Sequence, residues 1–463
     1  MKFENGKMND IKIAYIGGGS RNWAHLLMRD LVATEDISGT VALYDINKQA
    51  ADDNVIIGNK YNDTPGAKSH WDYYSTETID EALTGANFVV ISILPGTFDE
   101  MESDVHTPEK YGIYQSVGDT AGVGGIVRAL RTIPMFEVIA KAIEKNCPNA
   151  WVINYTNPMT ICVRTLYKTF PKIKAFGCCH EVFGTQKVLM TALKEFAGID
   201  VADRHEIKTV VTGINHFTWI TAANYKGIDL FPYYEQFCEK YGETGYCENI
   251  DDNWLNNVFA CGQRVKIDLF KRYGVIAAAG DRHLAEFCPG KWYLKNPEQV
   301  KEWCFGLTPV SFRKDCLKEQ IERCQAMVKG EREYKTGGSG EEGVMQIRAL
   351  LGLCDLVTNV NLPNYGQIPN LPIGAVVETN AVFRADEVSP VFTGDLPNSI
   401  YPLIAKTVGE QEAVVEGAME RDLEKVFSAF ANSNQVDLDL PTARKLFDEM
   451  VDNTKKYLTD YDI

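Results

Sequence analysis

The chain has 463 residues, 45% of them apolar, and a formal net charge of −16. That length buries one large core or two, and so acidic a surface excludes nucleic acid and anionic membrane as favoured partners. The 12 cysteines are scattered without a repeating spacing or a C-x-x-C pair, which argues against a disulfide framework, a zinc ribbon or a thioredoxin-type site.

The N-terminus, Met1 to Asp10, is polar. The apolar run Ile11 to Ile16 predicts a strand and is too short for a signal core or a membrane span. A cytoplasmic protein is therefore expected, with most of its thiols serving as small core residues. Asn22 to Val32 predicts a helix and Val41 to Tyr44 a second strand. Phe88 to Leu94 and Trp151 to Asn154 predict further strands, with a helical pattern over Gly125 to Lys145 between them. Ile173 to Phe176 predicts another strand and Thr185 to Phe196 another helix. Such alternation implies parallel β-α-β units with helices on both faces.

Beyond residue 200 the rhythm changes. Ile207 to Gly213, Phe217 to Ala223 and Val376 to Phe383 predict strands, and Thr308 to Val328 and Leu403 to Phe430 predict long helices. Gly330 to Gly343 is charged and glycine-rich, a loop. Asn361 to Gly374 carries three prolines and predicts an irregular connection. There is no internal repeat. The expected fold class is α/β: a Rossmann-type doubly wound parallel sheet over residues 1–200, followed by an α+β domain over 201–463, with the site between them.

Ile11 to Trp23 has the order strand, glycine turn, helix start. Gly17 and Gly19 fit the first two glycines of a dinucleotide fingerprint, with Ser20 beside them; Asn22 stands where the third would be. The strand Val41 to Tyr44 runs into Asp45, placed for a ribose 2′-hydroxyl, which favours NAD over NADP. Its alternative role is to cap the next helix. Ser92 to Gly96 ends a later strand and would pass beneath the nicotinamide-side ribose.

Gly177-Cys178-Cys179-His180-Glu181-Val182 sets thiol, imidazole and carboxylate side by side, and Gly213-Ile214-Asn215-His216 adds a second imidazole. Cys179 and His216 suit a borderline divalent ion with open positions, although a lone Cys or His is more often structural. Asn154 ends a strand where open α/β sheets bind ligands, and Asn157 is placed to cap the helix that follows. Asp119 lies in a polar glycine-rich loop, as a substrate contact or a brace for the loop. Gly280 to Phe287 packs four ionisable groups into six positions after an apolar lead-in and reads as a pocket rim.

Taken in order, these motifs resemble the NAD- and metal-dependent family 4 glycoside hydrolases over nearly the whole chain. The resemblance implies a fold like that of lactate and malate dehydrogenases, a homodimer or homotetramer, and NAD and Mn²⁺ as cofactors. Cys179-His180-Glu181-Val182 resembles the α-galacturonidase subgroup, where glucosidases and galactosidases of the family carry Cys-His-Ser-Val. The implied substrate is a small uronate glycoside, with α-glucosides, α-galactosides and α-glucuronides as alternatives. Readings of another class are an NAD-dependent sugar dehydrogenase and a non-catalytic NAD sensor.

The implied mechanism is redox: oxidation at C3, deprotonation at C2, elimination at C1, water addition and re-reduction, which sets this family apart from two-carboxylate glycosidases. The resemblance assigns Asp281 as the C2 base and His180 as an acid or orienting group. Asn154, Asp119 and Glu181 would face substrate; Gly17, Gly19, Ser20, Asp45 and Asn157 the cofactor; Cys179 and His216 the metal. Glu181 poses a charge problem beside a uronate. Either it points away from that carboxylate, or an arginine among Arg128, Arg131, Arg282 and Arg313 neutralises it.

Overall fold

The computed structural model describes residues 1–247, 254–335 and 337–463. Six parallel strands form its centre: β1 (Lys7–Ile16), β2 (Ile37–Tyr44), β3 (Trp71–Ser75), β4 (Phe88–Ile91), β5 (Trp151–Asn154) and β6 (Lys174–Gly177). Their order is β3-β2-β1-β4-β5-β6, so the winding reverses between β1 and β4. Such a switch point opens a crevice at the carboxyl ends of the strands, where α/β sheets bind ligands. Ala14 to Ile16 and all of β4 are buried because helices cover both faces, which is why these strands read as unbroken apolar runs.

Three helices frame the crevice. α1 (Trp23–Val32) leaves the glycine turn, α2 (Gly122–Asn146) spans 25 residues, and α3 (Glu181–Ala197) starts directly after the Cys-Cys-His run. The second half opens with an antiparallel hairpin, β7 (Lys208–Ile214) and β8 (Phe217–Tyr225), whose turn carries His216. The short helix α4 (Arg264–Tyr273), the strand Ile276–Ala277 against β8, and the helix α5 (Asp281–Phe287) then return the chain to that turn.

The sheet does not stop at residue 200. β9 (Leu356–Pro363), β10 (Val376–Arg384) and β11 (Glu387–Pro390) extend it antiparallel beyond β6, where Asn361 pairs with Gly177. Asn361 to Pro363 therefore belongs to a strand, not to the irregular connection expected from the prolines. Buried amides hid it: Asn359 donates to Glu378 Oε1 at 2.7 Å, so a polar residue sits satisfied in a core strand. The expected helix Leu403 to Phe430 is two helices, Tyr401–Glu420 and Leu423–Ala431, broken where Arg421 takes φ of 62° and the Asp422 side chain caps Glu424 and Lys425. β4 ends at Ile91, shorter than expected, and Ser92 to Gly96 leave the sheet beside the glycine turn. The loop expected over Gly330 to Gly343 ends where the helix Gly343–Leu350 begins, and its residue 336 lies outside the described residues. Among the described residues no helix is long and apolar enough to cross a membrane.

The crevice is braced by one buried ion pair. Arg131 of α2 and Asp104 of the helix Phe98–His106 have side chains 0% exposed. Arg131 Nη1 donates to Asp104 Oδ1 at 3.1 Å, and its Nε donates to the carbonyl of Pro95, just after β4, at 2.9 Å. Asp104→Ala would strand a buried guanidinium on a single carbonyl. Urea denaturation is expected to show a loss of about 3–5 kcal/mol; an unchanged midpoint would contradict the bracing role.

Candidate active site

At the switch point the glycine turn is held by geometry that only glycine meets. Gly17 has φ of +91°, and a Cβ there would lie 2.1 Å from the Ser92 carbonyl oxygen. The N–H groups of Gly17 and Gly18 donate to the Tyr44 carbonyl at 2.9 and 2.8 Å. Asp45 clasps the same turn: Oδ2 accepts from Gly19 N–H at 2.9 Å and Oδ1 from Asn47 N–H at 2.8 Å. Capping of the next helix falls to Asn47, not to Asp45. Ser20 Oγ accepts from Trp23 N–H at 3.2 Å and starts α1. On this edge Ile46 is 95% exposed and Leu94 42% exposed. Uncovered apolar side chains, a carboxylate at the end of β2 and a helix start behind a glycine turn together fit a dinucleotide.

The Asn154 to Pro158 corner is organised inward. Asn154 is fully buried; its amide donates to the Thr156 carbonyl at 3.0 Å and accepts from Thr156 N–H at 3.1 Å. Its side chain, expected from sequence as a substrate contact, is engaged in shaping the corner. Asn157 does not cap the next helix: that helix starts behind Pro158 with no side-chain cap, and buried Asn157 Oδ1 has no partner. Asn157 is thus free to meet a ligand, and its carbonyl accepts from Arg128 Nε at 3.1 Å.

Across the crevice three donors converge. One ligand atom each from Asp119, His216 and His283 lies within 4.8 Å of the others. The rings of His216 and His283 stack with centroids 3.8 Å apart. Thr120 joins two of the three: its hydroxyl donates to Asp119 Oδ1 at 2.7 Å and lies 3.0 Å from His216 Nδ1. A threonine has one hydroxyl proton, and it is spent on Asp119. The ring must therefore donate from Nδ1, which leaves the Nε2 lone pair bare. That is the arrangement of a metal-ligating histidine with an orienting partner behind it. A carboxylate with imidazoles suits a manganese-like divalent ion.

Charge supports this. Burial first, then the neighbouring His283, push the His216 imidazole down to about 3, so the ring stays neutral and able to ligate. Burial works to raise Asp119, but the Arg128 guanidinium foremost holds it well below the usual carboxylate range. Glu181, the first residue of α3, is opposed by burial yet held at about 2 by His283, His216 and the Gly280 N–H. Its Oε2 accepts that N–H at 2.7 Å, and Oε1 stands 3.7 Å from His283 Nε2. Glu181 is therefore turned to Gly280 and His283 and is already compensated.

Cys179 does not complete the three-donor set. Its thiol is pushed well up by burial and by the carboxylates of Glu378 and Glu181. His180 lies on another wall: Nδ1 is 3.1 Å from Glu341 Oε1, and the ring stacks on Trp23, which stacks on Tyr155. Asp281, expected from the resemblance as the base, is turned to α4 with its Oδ2 buried and unpartnered. It is 0% exposed, and Oδ1 accepts from Lys266 N–H at 3.0 Å in the first turn of α4, with burial raising its carboxyl to about 6. Two residues along a helix differ by about 200° in direction, so when Asp281 faces α4 it is His283 that faces the cluster. Sequence reasoning missed His283 and Thr120, although the charged segment after Ala279 and the polar loop before α2 were the signals for them. Glu286 of α5 ties these parts together, accepting from Val117 N–H at 2.7 Å and Gly118 N–H at 2.9 Å.

Comparison with known proteins identifies the family. Residues 12–195 match the model of family 4 glycosyl hydrolases, and residues 211–436 match that of the family 4 glycosyl hydrolase C-terminal domain. The chain is 61% identical over 463 residues to an alpha-galacturonidase of Thermoanaerobacterium saccharolyticum, covering 100% of both. It is 51% identical to a solved Bacillus subtilis glucosidase, with a TM-score of 0.91, covering 96% of this chain and 100% of that one. A 6-phospho-alpha-glucosidase from gut microorganisms, solved with NAD and Mn²⁺, shares the fold at 18% identity and a TM-score of 0.79, covering 97% of this chain and 99% of that one.

Thr120→Val removes the hydroxyl between Asp119 and His216. Titration calorimetry is expected to show Mn²⁺ affinity weaker by about 10–100-fold with an unchanged melting temperature; affinity within a factor of two of the parent would contradict the relay. Burial raises Glu286 to about 7, against the pull of the Val117 and Gly118 N–H groups. A carboxyl raised on folding stabilises below its unfolded value and loses that stability as pH climbs to its folded value. From about pH 4.5 to pH 7 the parent should lose about 2–3 kcal/mol relative to Glu286→Gln; a pH-independent difference in denaturation free energy would contradict this.

Proposed function

The chain belongs to family 4 of the glycosyl hydrolases, and we propose that it hydrolyses α-galacturonides with NAD and a divalent manganese ion as cofactors. The observation that carries this reading is the meeting of Asp119, His216 and His283 in a chain that also builds a dinucleotide turn, with Glu181 of the Cys-His-Glu-Val run bound to the Gly280 N–H and facing His283. Full-length likeness to an alpha-galacturonidase supports the choice of sugar. The same reading places the protein in the cytoplasm, where Cys179 stays reduced, as a homodimer or homotetramer. Residues 1–200 are the dinucleotide-binding half, and 201–463 supply His216, His283 and the subunit contacts.

Gly17, Gly19, Ser20, Asp45 and Asn157 would hold the dinucleotide. His216 and Asp119 of the three-donor set would hold the ion, with Cys179 as the further ligand that the family resemblance assigns from outside that set, while His283, the set's third member, is kept for proton transfer. When bound, the dinucleotide supplies hydride acceptance at a sugar carbon and the ion supplies Lewis-acid polarisation of neighbouring oxygens. The chain's own work is proton handling and position. His283 is the group assigned to take a proton from the sugar: its Nδ1 is buried without a partner, and Glu181 stands at its other nitrogen. His180, paired with Glu341 and seated on Trp23, is assigned to protonate the leaving oxygen. The Trp23 and Tyr155 rings form an apolar wall that keeps water from that side.

The test is nitrophenyl α-D-galacturonide in D₂O with NAD⁺, Mn²⁺ and a thiol reductant. Expected are free nitrophenol, no accumulation of NADH, and galacturonic acid carrying deuterium at C2. NADH formed in step with product would make the protein a dehydrogenase, and hydrogen alone at C2 would refute proton abstraction there.

A further inference from the structure

A uronate differs from a neutral hexose by a carboxylate at C6, so a site that prefers uronates needs an unspent cation. Resting on the galacturonidase reading, the choice among the arginines follows from how each is already used. Arg131 is consumed by Asp104 and the Pro95 carbonyl. Arg128 is buried and donates through Nε to the Asn157 carbonyl, which fixes its guanidinium to the backbone although its Nη1 has no partner. Arg282 donates to the Ser116 carbonyl at 3.2 Å and to Thr308 Oγ1, with its guanidinium 4.9 Å over the Phe259 ring, although its buried Nε lacks a partner.

Arg313 is different. It lies in the first turn of α6 (Val310–Lys329), half-buried, and among the described residues it makes no hydrogen bond or ion pair, with a buried Nε left unpartnered. The preceding Phe312 packs edge-on against the same Phe259 ring at 5.4 Å. Arg313 is near enough to Asp119 and His283 to act on their charge, and near enough to Arg282 for mutual repulsion. A half-buried guanidinium with no acceptor among the described residues, beside a second guanidinium already fixed to backbone, retains its capacity to bind an anion. Glu181 does not supply that anion, because it is bound to the Gly280 N–H.

We propose that Arg313 binds the C6 carboxylate of the uronate and thereby sets the sugar preference. The planar fork meets a carboxylate through two parallel N–H···O bonds, which lysine cannot reproduce.

The experiment compares kcat/KM for nitrophenyl α-D-galacturonide and nitrophenyl α-D-galactoside in the full chain, loaded with NAD⁺ and Mn²⁺. Arg313→Ala is expected to lower the uronide-to-galactoside ratio by about 100-fold, mostly through KM for the uronide. Arg313→Lys is expected to lower it by about 10-fold and carries the test if the alanine variant does not fold. A ratio within about three-fold of the parent in the folded variant overturns the proposal. A second readout is independent of turnover: D-galacturonate should raise the melting temperature of the parent more than D-galactose does, and Arg313→Ala or Arg313→Lys should abolish the difference. A parent that cleaves no galacturonide refutes the functional reading; a parent that cleaves it, with variants that keep both the ratio and the melting difference, refutes only the role of Arg313.

Discussion

Thr120 donates its only hydroxyl proton to Asp119 at 2.7 Å and sits 3.0 Å from His216 Nδ1. The rest of the site depends on that allocation. It fixes the His216 tautomer, leaves Nε2 as the bare lone pair, and keeps Asp119 oriented beside the ring. It also joins the two halves of the chain, because Thr120 precedes α2 while His216 belongs to the β7–β8 turn. Glu286 makes the same connection from behind, holding the N–H groups of Val117 and Gly118 from a helix that also carries His283. Loop, hairpin turn and short helix are thus locked together before any ligand arrives, as a site that must orient reacting groups requires.

Glu181 shows how one residue serves both neighbourhood and preference. From sequence it marked uronate chemistry yet was electrostatically awkward beside a uronate. In the fold its carboxylate accepts the Gly280 N–H at 2.7 Å and faces His283 at 3.7 Å. Its charge is spent on orienting an imidazole, and the positive charge that a uronate needs lies elsewhere. The awkwardness came from treating adjacency in sequence as adjacency to substrate.

Much of the fold was legible because buried parallel strands are written as plain apolar runs: β1, β4, β5 and β6 could hardly be missed. β9 was not legible, since its Asn359 and Asn361 look like loop residues until the Glu378 carboxylate and the Gly177 carbonyl are there to accept from them. The long C-terminal helix was split by Asp422, a capping residue inside an otherwise helical pattern. In the site, motif reading placed Asp45, Asp119, Glu181 and His216 on the crevice. It named Asp281 as the base, and sequence alone does not reveal that one oxygen of this carboxylate is held by the first turn of α4. Helical geometry then hands the cluster to His283, two residues further along. Thr120 could not be singled out, since its importance lies in a proton count that needs both partners in place.

If the Thr120 relay presents His216 Nε2 and Asp119 as a ready divalent-ion site, crystals grown with Mn²⁺ will show it in an anomalous difference map. The expected peak is bonded to His216 Nε2 and an Asp119 oxygen, with His216 Nδ1 still on Thr120. A peak bonded to neither residue, or a His216 ring that offers Nδ1 to the ion, would contradict the relay.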